Sequence, residues 1–84
     1  MTRLWPNGEV IRVTIGDSGD PAAFQWDGAL HPVQGVANRW RVDDHWWDGR
    51  IWRDYFKLTT VTGWLVIVYR DLLTNTWYLQ RLYD

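Results

Sequence analysis

Eight tryptophans and no cysteine in 84 residues leave this chain few ways to fold. A domain this short sits near the lower limit at which apolar burial alone holds a structure. Without cysteine there is no disulfide and no thiolate metal site to staple it. Aromatic rings must supply the burial instead, each removing roughly 200 Å² from water. Most of the tryptophans are therefore expected inside. Trp26, Trp40, Trp64 and Trp77 lie in alternating segments and are the expected core rings. Trp5 lies in an N-terminal arm with no pattern.

The charged residues point to an all-β chain. Eight arginines stand against one lysine (Lys57), and nine aspartates against one glutamate (Glu9). Lysine and glutamate, the usual residues of exposed helices, are nearly missing. Arginine and aspartate suit bidentate pairing and turns. No segment carries an apolar 3.6-residue period over ten residues, so no long helix is expected.

Residues 10–15 alternate as a strand, with Ile11, Val13 and Ile15 on one face. Residues 23–26 alternate again and end at Asp27-Gly28, a hairpin signal. A third strand covers 30–33, where Pro32 suggests an edge or a bulge. Gly35 is expected to bend the chain before 36–42. Residues 43–49 read as a turn region, 52–60 as a strand and 61–63 as a tight connection. Residues 64–70 are apolar on both faces, so that strand should be central. Residues 71–76 turn, with a short helical turn at Leu72-Leu73, and 77–82 close the sheet. The expected fold is one domain over residues 1–84, all-β. It is a five- or six-stranded antiparallel barrel or strongly curled sheet of SH3-like or OB-like size.

Chemistry finds little to stand on. Asp43, Asp44, His45 and Asp48 precede Gly49 and begin like a calcium loop from Asp44. Trp46 then occupies the third position, and Tyr55 stands where a bidentate glutamate is needed. His31 and His45 without cysteine make a poor zinc set. The single serine, Ser18, has nothing to position it against a histidine. No catalytic residue, metal or cofactor is expected, and the chain reads as a non-enzyme. The start shows no apolar leader, and the longest apolar run, 64–69, is far too short to span a bilayer. A cytoplasmic protein with no membrane contact is the expectation.

Binding remains. Trp40, Trp46, Trp47 and Trp52 crowd one short segment, interleaved with arginine and aspartate. Arginine beside aromatic rings also suits single-stranded nucleic acid. Yet Arg39, Arg41, Arg50 and Arg53 meet four aspartates between positions 39 and 54, and the whole chain carries a net charge of −1. That balance favours Arg–Asp pairs ordering the segment over phosphate binding. Trp and Arg dominate protein-interface hot spots. The Trp46-Trp47 pair should send its two rings to opposite faces if extended, one of them to solvent or a partner, whereas a loop bend would turn both inward. A protein-interaction surface is therefore expected at Trp46, Trp47, Arg50, Trp52 and Arg53. The alternatives are a single-stranded nucleic-acid-binding module and a structural homo-oligomer that buries the surplus rings between copies.

The segment Arg39-Trp40-Arg41-Val42-Asp43-Asp44-His45-Trp46-Trp47 continues through Arg53-Asp54-Tyr55-Phe56 and Tyr69-Arg70-Asp71-Leu72. It ends in Trp77-Tyr78-Leu79-Gln80-Arg81-Leu82-Tyr83-Asp84. Over residues 39–84 it resembles a small bacterial family of Trp-rich proteins with the running pattern W-R-[VI]-D-D-x-W-W, R-D-Y-[FY], [YF]-R-D and W-[YF]-x-x-R-x-[YF]-D. It is also similar to the C-terminal region of ImuB-type proteins, the inactive Y-family polymerase relatives of damage-induced mutagenesis. The first half matches only through Phe24, Trp26 and Gly28. The resemblance implies an accessory, protein-recruiting role in DNA repair or translesion synthesis, and brings no catalytic residue with it.

Overall fold

The computed structural model describes residues 2–47 and 49–83, and Trp46 by its backbone alone. Six strands follow one another: β1 (Arg3–Ile15), β2 (Pro21–Trp26), β3 (Ala29–Trp46), β4 (Gly49–Thr60), β5 (Leu65–Asp71) and β6 (Thr76–Tyr83). Each pairs antiparallel with the next, and β6 returns to β1 to close a barrel. The all-β barrel is the fold the composition and alternation predict.

Two long strands each serve two sheets. β1 pairs with β6 from Arg3 to Ile11 and with β2 from Arg12 to Ile15. β3 pairs with β2 from Ala29 to Pro32 and with β4 from Val33 to Trp46. Bulges mark the bends, at Leu4/Glu9 in β1 and at Val33/Gly35 and Val36/Asn38 in β3. An extra residue on one strand increases local twist, which lets a short strand turn a corner. Pro32 is the last residue paired with β2, and the bend falls beside Gly35, as the sequence suggests. Asp27 (φ 53°) and Gly28 (φ 76°) form the two-residue link between β2 and β3. Both need positive φ, which is why Asp-Gly is a hairpin signal.

The interior is built from rows that cross the strands. Phe56, Val68 and Leu79 are register neighbours and all buried; so are Leu58, Val66 and Leu82. β5 lies between β4 and β6, the central place its two apolar faces require. Trp5, Trp26, Trp64 and Trp77 pack against this core. Trp26 makes edge contacts with both Trp5 (5.7 Å) and Trp64 (5.9 Å), and His31 stacks with Phe24 (5.2 Å).

Three expectations change. Trp5 belongs to β1 and to the core margin, because β1 starts at Arg3 instead of near Val10. Residues 43–46 are strand, so the expected turn region shrinks to the link between Trp46 and Gly49. Trp40 is 38% exposed on the outer face, because its partner Tyr55 is out of phase with the inward Phe56.

Candidate functional site: the β3–β4 hairpin

β5 accompanies β4 only from Arg53 to Thr59. The pairs Asp43 with Trp52, Asp44 with Ile51, His45 with Arg50 and Trp46 with Gly49 therefore lie beyond the third strand. They form a two-stranded ribbon that extends past the barrel wall. At its base the Leu72 amide donates to the Trp52 carbonyl (2.9 Å), tying the β5–β6 turn to the ribbon.

Directly opposed residues of an antiparallel pair share a face, and alternate residues change face. One face carries Arg41, Asp43 and His45 beside Arg50, Trp52 and Asp54. It is held by charge. Arg41 donates to both oxygens of Asp54 (2.7 and 3.1 Å), and Arg50 to both of Asp43 (3.0 and 3.0 Å). The Arg50 guanidinium also lies 4.5 Å from the Trp52 ring centre. The hydrogen bonds from Arg50 hold the Asp43 carboxyl below its usual range. The bonds to Asp54 and Asp43 likewise raise the pKa values of Arg41 and Arg50. A third pair, Arg39 to Asp20 (2.8 Å), links β3 to the turn after β1. Arg41–Asp54 and Arg50–Asp43 are pairs of the kind the charge balance favours; Arg39 pairs outside the segment, with Asp20.

The other face is aromatic at its root. Trp40 stacks on Tyr55 (5.3 Å between centroids, 5° between planes), Tyr55 meets Tyr69 (5.1 Å), and Tyr69 stacks on Tyr78 (4.9 Å). The row crosses four strands on the outside of the barrel. Tyr69 is nonetheless only 2% exposed. Its hydroxyl donates to the Asn7 carbonyl (3.0 Å), and the Asn7-Gly8 corner of β1 lies over it. Burial raises the Tyr69 pKa, against the pull of the Arg53 charge. Arg53 lies 4.4 Å from the Tyr69 ring centre and donates to the Tyr55 hydroxyl (3.1 Å). Burial works against the Arg53 charge, but the bond to Tyr55 and the nearby phenols and Asp71 outweigh it and raise its pKa.

The five residues expected at a contact surface thus part company. Trp47 is 96% exposed at the tip. Arg50 and Trp52 lie together on the charged face, one as the partner of Asp43 and the other half-buried beneath it. Arg53 points to the opposite face and is engaged with the tyrosine row. The side chain of Trp46 lies outside the described residues. Asp48, considered above for metal, lies outside them too. Asp43 and Asp44 face opposite ways, so they do not converge on one ion. A depression of about 290 Å³ is lined by Asp20, Arg39, Trp40, Arg41, Asp54 and Tyr55 among others, and its arginines and aspartates already pair with each other.

Sequence reasoning missed the tyrosine row. Tyr55, Tyr69 and Tyr78 are far apart in the chain, and each alone reads as an outward residue. Only the strand register sets them side by side. Compared with protein-family models, curated proteins and solved structures, the chain matches none.

Proposed function

We propose that this chain is a non-enzymatic protein-interaction module whose contact surface is the tip and charged face of the β3–β4 hairpin. One observation carries the reading: Trp47, the residue type most costly to leave in water and most common at hot spots, is 96% exposed at the end of a projecting ribbon. Arg50 and Trp52 stand behind it as a second, pre-ordered pair. The Arg50–Asp43 and Arg41–Asp54 pairs brace the ribbon that carries the ring, and bracing before binding favours affinity. The motif resemblance gives the context of the proposal, an accessory role in DNA repair or translesion synthesis. On the hairpin, Arg39, Arg41 and Arg50 are already paired with carboxylates, which favours protein over phosphate at this surface.

The test compares wild type with Trp47→Ala as baits in DNA-damaged bacterial cells, with bound proteins quantified. A partner retained by wild type and lost with Trp47→Ala supports the tip. Equal retention by both refutes it. Tight, steeply salt-dependent binding to a single-stranded oligonucleotide would instead move the assignment to nucleic acid.

A further inference from the structure

β3 has two edges, and from Val33 to Trp46 one of them is satisfied by β4. On the other side β2 pairs only with Ala29–Pro32. Among the described residues no strand covers that edge further along. Near the bend, Arg39 reaches across to Asp20, which marks where the open stretch begins. From Trp40 to Asp44 the edge is regular, with no bulge, no proline and no lysine. Those are among the devices by which sheet proteins keep an edge from pairing; charge is another, and its sign decides which strands it repels. What the edge carries is charge that changes sign once along it, Arg41 followed by Asp43 and Asp44.

We propose that this edge pairs antiparallel with the same edge of a second copy, with Val42 on the two-fold axis. Geometry restricts the register. When identical strands pair edge to edge, both sheets keep their faces, so odd residues meet odd and even meet even. An axis at Arg41 opposes two arginines, and an axis at Asp43 or Asp44 opposes two aspartates. An axis at Trp40 sets Arg39 against Arg41. An axis at Val42 opposes no like charges. It places Arg41 of each copy against Asp43 of the other, twice, and Trp40 against Asp44. The ion pairs inside each copy then extend into one row, from Asp54 through Arg41 to the second copy's Asp43 and Arg50. On the opposite face the Trp40 rings approach the central valines diagonally, which covers the 38% of Trp40 still exposed. Opposed like charges are destabilising across a sheet, so an edge of this pattern accepts itself more readily than an arbitrary strand. The edge lies away from the Trp47 tip but shares Arg41 and Asp43 with the charged face, and the self-pairing is tested by association of the chain alone, the tip by its partner.

The axis gives a test that other contacts would not mimic. Val42 faces itself, so Val42→Glu and Val42→Lys each place two like charges together. Sedimentation of wild type over a concentration series is expected to show a monomer–dimer equilibrium. Each variant alone is expected to dimerise at least roughly tenfold more weakly, and an equimolar mixture of the two to recover the dimer. Circular dichroism and urea midpoints matching those of dilute, monomeric wild type show that the variants fold. As an independent measurement, amide exchange at residues 40–44 should slow as wild-type concentration rises. A wild type that stays monomeric throughout overturns the proposal. So does a dimer indifferent to both Val42 variants, or a mixture that fails to re-associate.

Discussion

Gly8 shows how little freedom a single position has in this barrel. Its φ is +78°, and a Cβ there would lie 2.7 Å from the Tyr78 Cβ and 3.0 Å from the Tyr69 hydroxyl. Both the backbone and the space exclude a side chain. Gly8→Ala is expected to destabilise the fold by about 1–3 kcal/mol through overpacking, with the positive φ adding to that cost. Urea denaturation measures it. Nothing in the sequence signals this at Asn7-Gly8, because the tyrosines that crowd it are about sixty to seventy residues away. Asp43 is a more legible residue, since four arginines and four aspartates in one segment announce pairing. Arg50 lowers its pKa, so the stabilisation this gives is present above the ordinary carboxylate value, near pH 3.9, and is lost as pH falls through the depressed one. In a carboxyl NMR titration Asp43 should therefore titrate below the usual range. Arg50→Gln should return it to that range.

At the scale of elements, alternation located the strands well and their ends poorly. Residues 43–49 are rich in turn-forming aspartates, yet the chain stays extended to Trp46 because Asp43 and Asp44 sit opposite Trp52 and Ile51 of β4. Cross-strand partners, invisible to a single-strand pattern, overrode the local preference. The same blindness misplaced Trp40: alternation alone cannot say which face is inside. The ribbon beyond Arg53 has no third strand, so its stability rests on its own pairs and on the anchored root at Tyr55. Trp47 touches neither. Trp47→Ala should therefore change unfolding free energy by no more than about 0.5 kcal/mol. A larger loss in denaturant melts would mean that the ring packs against the fold and is not a free anchor.

The whole molecule was the most legible level. Tryptophan abundance, absence of cysteine, and Arg–Asp in place of Lys–Glu led to a small all-β barrel, and the six antiparallel strands close as one. What composition could not supply was the second aromatic layer, where buried Tyr55 and Tyr69 and half-buried Tyr78 roof the outside of a sheet whose inside is already packed. That layer depends on β1 reaching back over β5 and β6, a contact between the two ends of the chain. The β1–β6 seam sets Arg3 beside Leu82 and Leu4 beside Arg81. It also has a mechanical meaning. Tension applied through those two neighbours pulls the strands apart sideways, so the bonds of the ladder break one after another. Tension applied through Arg3 and Thr76 runs along the strands and loads the same bonds together. In an optical trap the first attachment should open the barrel at a clearly lower force than the second. This barrel would then be weak as a tether when loaded across that seam, a zip fastened at its own hem.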